Sequence, residues 1–305
     1  MLAYAAKRVM VAILVAITVS IISFSLLHAT GDLASAIAGE GATPADIARV
    51  RHEYGLDRPL VLQYGAWAKQ ALRGNLGDST FYHEPVTSLL AKRLPVTLTL
   101  GVAALTFALA LAVPLGIVAA LRPNTFSDRF ALTVSVIGQA LPSFWFGLLL
   151  ILVFAVALHW LPVAGTGSWK SFVLPAITLG YYATPAFMRL TRAGMLQVLD
   201  SDYIRTARAK GLHEPTIIVK HALRNAAIPL VSLASVQFGF MLGGSVVVET
   251  VFALNGVGFL SWQSIGRADI AVVQAVVLII SLFYVVLTLL ADLLNAYLDP
   301  RIRLA

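Results

Sequence analysis

Residues 203–229 read YIRTARAKGLHEPTIIVKHALRNAAIP. They hold the densest cluster of basic side chains in a chain that is otherwise 59% hydrophobic and only 12% charged, and they stand between two uncharged runs, 172–188 and 226–248. Soluble globular proteins carry charge on about a quarter of their residues. With so few charges and a mean hydropathy of +0.84, the 305-residue chain reads as an integral membrane protein. Its net charge of +7 does not point to nucleic acid, which needs a solvated basic face, because apolar runs separate the charges. There is no cysteine, so disulfides and thiolate metal sites are excluded.

A helix needs about 18 or more mostly uncharged residues to cross a bilayer. Outward from the quoted stretch, six candidate runs emerge: 9–29, 98–121, 130–158, 172–188, 226–248 and 271–291. An even number puts both termini on one side. The first run follows Lys7 and Arg8, and its length exceeds the apolar core of a cleaved signal peptide, so it is expected to remain as an anchor. The N-terminus, 122–129, 189–225 and the C-terminal end together carry thirteen basic and six acidic residues, whereas the alternate segments carry nine of each. Basic residues accumulate on the cytoplasmic side, so residues 203–229 and both termini are expected there. This divides the chain into 1–29 (cytoplasmic end and first transmembrane helix), 30–97 (an extracytoplasmic segment), 98–298 (the transmembrane core) and 299–305 (a cytoplasmic tail).

The segment 30–97 carries its own helix signals. Thr43-Pro44-Ala45-Asp46 sets a cap residue before a proline at the first helical position, and Gly55 follows as a stop. Pro59 opens a second helix that ends near Gly74, so a small helical cap is expected.

None of the six runs contains Asp, Glu, Lys or Arg. Coupled transporters place ionisable groups or broken helices near the midplane, so any pumping should be driven from elsewhere. No Gly-rich loop ending in Gly-Lys-Ser/Thr is present, so no nucleotide is expected on this chain. The polar side chains deepest in the runs are Gln139, Gln237 and Gln274, which read either as interhelical hydrogen-bonding groups or as the lining of a polar pathway. Glu249 and Asn255 follow the fifth run near its outer mouth. Pro114, Pro142, Pro175 and Pro185 interrupt the runs, and Gly239, Gly243 and Gly244 read as close-packing positions.

Just ahead of the quoted stretch, Asp200 and Asp202 precede the bases, as a helix dipole favours. Gly211 stops the first helix and Glu214-Pro215 starts a second. In the second, Ile217, Ile218, Ala222 and Leu223 form an apolar stripe opposite Lys220 and Arg224. Two short amphipathic helices result, suited either to the lipid surface or to docking a protein.

The stretch DYIRTARAKGL, with KHALRN and Pro229, resembles the cytoplasmic coupling loop of permease subunits in binding-protein-dependent ABC importers, and in particular the dipeptide, oligopeptide and nickel permease family. GLDRPLVLQYGAW, GNLGDS, PVTSLLAKRLPVTLTL, LPSFWFGLLLI, LPAITLG, GGSVVVETVF, NGVGFL and LDPRIR are similar to blocks of that family in the same order. There are departures. Arg205 stands where the general importer loop has an acid, Asn255-Gly256-Val257-Gly258 replaces Pro-Gly-x-Gly, and Arg267-Ala268-Asp269-Ile270 replaces Arg-Asp-x-Pro.

The resemblance implies an all-α, six-span type I importer (MetI-like) permease fold with an extracytoplasmic helical cap after the first span and coupling helices at about 200–225. The chain would be a non-catalytic permease in a bacterial inner membrane, forming half of a pathway for short peptides. Glutathione, nickel chelates or another small solute are alternatives in the same class, and a passive homo-oligomeric channel is the alternative from another class. The implied partners are a second permease, two ATPase subunits that bind the ATP and magnesium, and an extracytoplasmic binding protein. The implied ATPase-coupling loop comprises Tyr203, Arg205, Thr206, Ala207, Arg208, Ala209, Lys210, Gly211, Leu212, Lys220, His221, Arg224 and Asn225. Ala207 would permit close approach and Gly211 would set the angle between the helices.

Overall fold

The computed structural model describes residues 2–29, 33–39 and 41–298; the expected tail 299–305 lies outside them. Every regular element among the described residues is helical. Helix α1 (Leu2–Ala29) is followed by α2 (Leu33–Ala38), α3 (Pro44–Glu53) and α4 (Leu60–Ala71). The expected signals operate: Thr43 caps α3, its hydroxyl accepting from the Asp46 amide (3.3 Å) while the Asp46 carboxylate accepts from the Thr43 amide (3.2 Å).

Helix α5 (Val86–Leu121) is 36 residues long and retains Pro95 and Pro114. Its first turns fall within 30–97, the segment expected outside the transmembrane core because Lys92 and Arg93 interrupt the apolar run. Those charges instead ride the exposed start of one continuous helix, where Lys92 pairs with Glu84 at 2.6 Å. The run 130–158 is not one helix. It divides into α6 (Phe126–Ala140) and α7 (Ser143–Leu150), the latter continuing as a π-helix, Ile151–Ala157. Leu141 is extended between them (φ −100°, ψ 136°), as expected of a residue that precedes proline.

Helix α8 (Val173–Leu199) keeps Pro185 inside and bears Arg189 and Arg192 in its second half. Then come α9 (Asp202–Ala209), α10 (Glu214–Thr216), a π-helical stretch Ile217–Leu223, and α11 (Arg224–Ala226). Last are α12 (Ile228–Val251), α13 (Val257–Gly266) and α14 (Ile270–Leu298). Among the described residues four helical segments are long and apolar enough to cross a membrane: 5–25 in α1, α5, α12, and 270–294 in α14.

The main core lies between α5, α8 and α12. On α5, Leu100, Ala104, Ala108 and Ala112 recur every fourth residue and are fully buried, forming one ridge of small side chains. That ridge faces α8, which contributes Ala183, Phe187 and Met188. The two helices approach closely at two glycines: a Cβ on Gly180 would overlap the Ala104 carbonyl, and one on Gly116 would lie 2.7 Å from Thr191 Cβ.

Two smaller clusters define the ends of the bundle. At one end, Val86, Leu89 and Leu90 of α5 meet Val257, Leu260 and Val272. At the other, Ala120, Met195, Ile204, Ile217 and Ala222 join the ends of α5 and α8 to the α9–α11 segment. Helices α1 and α14 pair antiparallel, with Arg8 bonded to Asp292 at 2.8 Å near one end and the Ser23 hydroxyl donating to the Gln274 carbonyl at 3.2 Å toward the other. The basic segments 122–129 and 189–225 therefore lie at the same end as the start of α1.

A contact with no local sequence signal secures that end. Arg192 of α8 donates two hydrogen bonds to Asp128 at the start of α6 (2.7 and 2.6 Å), and the Asp128 side chain is 3% exposed. These bonds, helped by the Asn124 amide, hold the Asp128 carboxyl below its ordinary range. Asp128→Ala leaves a half-buried guanidinium unpaired and should cost about 3 kcal/mol, the lower end for a broken buried pair. Because the folded carboxyl is depressed, its contribution is complete above the ordinary carboxylate pKa and is lost as pH falls through the folded value. Thermal melting in detergent should therefore show the wild-type advantage over Asp128→Asn shrinking below about pH 4.

Candidate functional site

The break at Leu141-Pro142 opens a groove of about 890 Å³ bordered by the α6–α7 joint, by α8 and by α12. Gln139 and Gln237, expected as deep polar groups, both line it. The Gln139 amide donates to the Tyr182 carbonyl at 3.3 Å. Leu141, Pro142, Leu179 and Met241 supply apolar walls. The lining residues include no Asp, Glu, Lys, Arg or His, so the groove offers neutral amides, hydroxyls, a phenol and apolar surface. Its glycines divide the expected packing role. A Cβ on Gly239 would strike the Tyr284 ring, but one on Gly243 would meet nothing within 4 Å. All three of Gly239, Gly243 and Gly244 border the groove.

The other three residues considered for a pathway or gate lie elsewhere. Gln274 is buried where α14 meets α1, and its amide nitrogen has no partner among the described residues. Asn255 is exposed in the turn between α12 and α13. Glu249 is fully buried, and its function in the fold is specific. It accepts from the Phe259 amide at 2.9 Å and from the Thr97 hydroxyl at 2.8 Å. Thr97 in turn accepts from the Val257 amide at 2.8 Å. Amides at the start of a helix lack intrahelical partners, and here α12 and α5 supply acceptors to two of them at the start of α13. Gly256 and Gly258 permit this because a Cβ at either would crowd the carboxylate. Sequence reasoning could not find Thr97, which is 152 residues away from Glu249. Glu249→Ala should release α13 and raise amide exchange across 257–266 at least tenfold, because it leaves buried donors unsatisfied at a cost of roughly 1–3 kcal/mol each. Hydrogen-exchange mass spectrometry reads that change directly.

A second clamp holds the same end. Asp269 is fully buried and accepts from the Ser79 hydroxyl at 2.5 Å, while Tyr82 donates to Gln263 at 2.9 Å and Arg267 stacks 3.6 Å above the Phe81 ring. The segment joining α4 to α5 is thus fastened to the α13–α14 turn.

At the opposite end the paired short helices take the expected form. Ser201 precedes α9, and Gly211 adopts φ +75°, the left-handed turn that glycine makes without strain. Ile204 and Ala207 of α9 point into the cluster beneath, together with Ile217 and Ala222. Ala207 is 8% exposed, so the close approach that its small side chain allows is to its own chain rather than to an outside partner. The outward face presents Arg205, Thr206, Arg208, Ala209 and Lys210. Arg205 pairs with Asp202 (3.3 Å) and Arg208 with Glu214 (2.7 Å), both on the surface. Leu212 and Gly211 are exposed at the turn. The Asn225 amide donates to the Tyr203 hydroxyl at 2.8 Å and closes the pair into one unit. Lys220, His221 and Arg224 line a cleft beside Tyr203.

Comparison with known proteins identifies this arrangement. Residues 112–304 match the family described as "Binding-protein-dependent transport system inner membrane component", and residues 1–101 match its N-terminal companion, "Binding-prot-dependent transport system membrane comp, N-term". The glutathione transport system permease protein GsiC of Escherichia coli (strain K12) is 41% identical over 304 residues, covering 99% of both chains. The protein of the same name in Salmonella typhimurium is 40% identical with the same coverage. Among solved structures, the MetNI methionine ABC transporter in an inward-facing conformation matches with a TM-score of 0.56 at 20% identity, covering 69% of this chain and 96% of that one; this likeness concerns the fold. The chain belongs to the binding-protein-dependent transport system inner membrane components, as a permease subunit of an ABC importer in the dipeptide, oligopeptide and nickel permease family.

Proposed function

We propose that the chain forms one of two membrane-spanning halves of an ATP-driven importer for short peptides, with glutathione, itself a short peptide, as the first substrate to test. The observation that carries this reading is the pairing of an uncharged groove with a rigid helix pair at one end of the bundle. Such a chain has a path but no means of its own to drive it. The full-length likeness to glutathione permeases supports glutathione as strongly as it supports dipeptides or longer peptides.

In this reading α1, α5, the α6–α7 unit, α8, α12 and α14 are the six crossings. Helices α2–α4 form an extracytoplasmic cap that receives the binding protein, and the basic end faces the cytoplasm. The exposed face of α9 with the Gly211 turn, from Tyr203 to Leu212, enters a groove on an ATPase subunit. Lys220, His221, Arg224 and Asn225 belong to the return arm. ATP and magnesium bind to the two ATPase subunits. Their closure moves the helix pair as a rigid body, and α8 and α12, which flank it, carry the motion to the groove. A second, different permease completes the pathway opposite Gln139 and Gln237. Glu249 and Asn255 act at the outer mouth by positioning α13.

The deciding experiment is uptake of labelled glutathione and of a labelled dipeptide into proteoliposomes that contain the chain with its ATPase, second permease and binding protein. Uptake that requires ATP and the binding protein is expected. Flux through the chain alone, without ATP, would replace this reading with the passive channel.

A further inference from the structure

We infer that the return arm of the helix pair carries a binding site for the phosphate headgroup of an anionic phospholipid. The inference rests on the sidedness proposed above. The Ile217–Leu223 π-helix runs through α11 to the first turn of α12, one of the apolar membrane helices. A cleft of about 560 Å³ opens at that junction. Lys220 and Arg224 form its basic rim. They are four residues apart, Lys220 in the π-helical stretch and Arg224 at the start of α11, and both are exposed. Neither has an acidic partner among the described residues, whereas Arg205 and Arg208 on α9 are each paired with an acid of the same segment. The floor is Ile228 and Val231 of α12, both half-buried. Tyr203, fixed by its bond from Asn225, forms the far wall.

Two unpaired cations above an apolar floor, where a membrane helix leaves the bilayer, match a lipid: phosphate on the rim, acyl chain along the floor. Basic pockets between membrane helices on the cytoplasmic side take anionic headgroups in this way, and that leaflet is the anionic one. An acidic surface of an ATPase subunit would fit the rim but would leave the apolar floor uncovered, so the lipid is the favoured occupant. A bound lipid there would tie the helix pair to the base of α12, through which the motion of the pair passes.

The test uses the assembled importer in nanodiscs that contain a trace of photoactivatable phosphatidylglycerol or, in parallel, photoactivatable phosphatidylcholine. Labelling of the segment 220–231 by the anionic probe should fall on the order of thirtyfold in Lys220→Gln/Arg224→Gln, at roughly a fivefold loss for each cation. Lys170→Gln, an exposed cation at the other end, should leave labelling unchanged. Equal labelling by both lipids, or labelling unaffected by the double substitution, would overturn the site. Release of the ATPase subunits with labelling intact would assign the two cations to the ATPase instead. If no ATPase accompanies even the wild-type chain, the importer reading fails while the lipid labelling remains readable on its own.

Discussion

Replacing Gly211 with valine is expected to abolish ATP-driven uptake while leaving the chain inserted and abundant in the membrane. The reason is the backbone, not space. A Cβ at Gly211 would meet nothing within 4 Å, but the residue sits at φ +75°, where an L side chain costs about 1–2 kcal/mol and a β-branched one more. The turn depends on that conformation: the Gly211 amide donates to the Arg208 carbonyl at 2.9 Å and the Leu212 amide to the Ala207 carbonyl at 3.3 Å. Relaxing φ to a negative value swings the return arm away from α9. That motion breaks the Arg208–Glu214 and Tyr203–Asn225 bonds, which hold the two helices as one body. A hinged pair would absorb the ATPase stroke instead of passing it to α8 and α12. Insertion should survive because the turn is exposed and outside the core. Asparagine tolerates the left-handed region, so Gly211→Asn should recover most uptake. The measurement is uptake per unit of chain in membrane vesicles for the two variants. Wild-type uptake with valine would remove Gly211 from the coupling account, and equal loss with asparagine would mean that the side chain rather than the backbone is at fault.

What could be read in advance follows from the range of each signal. Membrane class came from composition, and helices α3, α4, α9 and α10 came from caps and breakers within a few residues: Thr43-Pro44, Pro59, Gly211 and Glu214-Pro215. Proline in the apolar runs was ambiguous for a physical reason. Pro114 and Pro185 stay inside helices because neighbouring helices hold those backbones in place, while Pro142 stands at a true break that opens the groove. Local sequence does not distinguish the three. The two π-helical stretches carry no pattern at all. The clamps at the bundle ends pair residues distant in the chain, Thr97 with Glu249, Asp128 with Arg192 and Ser79 with Asp269. Each of those polar residues alone looks like an ordinary loop or span-edge position. Of the candidate pathway groups, Gln139 and Gln237 converge because α6 and α12 flank the same break, whereas Gln274 was carried away by the pairing of α14 with α1.

Glycine shows the same limit most sharply, and it sets the other large expected effect: Gly180→Val should prevent the chain from accumulating, and even Gly180→Ala should lower its thermal midpoint in detergent by several degrees. Small residues four apart on α12 invited a close-packing reading at Gly239 and Gly243; Gly239 does pack against the Tyr284 ring and Gly243 faces open space, while among the described glycines the nearest main-chain obstacle is the Ala104 carbonyl of α5 at Gly180 of α8. The obstacle to a new carbon there is a main-chain carbonyl, which cannot rotate aside as a side chain could. The helices would have to part by on the order of 1 Å to restore normal contact at about 3.5 Å. Within a bilayer there is no hydrophobic force to press them together again, because lipid tails are as apolar as the core. Parting α5 from α8 also weakens every contact along the Leu100–Ala104–Ala108–Ala112 ridge. Overpacking costs about 1–3 kcal/mol where side chains can adjust, and the fixed carbonyl puts this position at or beyond the upper end. Gly243→Ala is the matched control, because its Cβ would project into the open groove; its abundance and melting should be those of the wild type. Equal melting of Gly180→Ala and Gly243→Ala would show that the α5–α8 contact does not set the stability of the bundle.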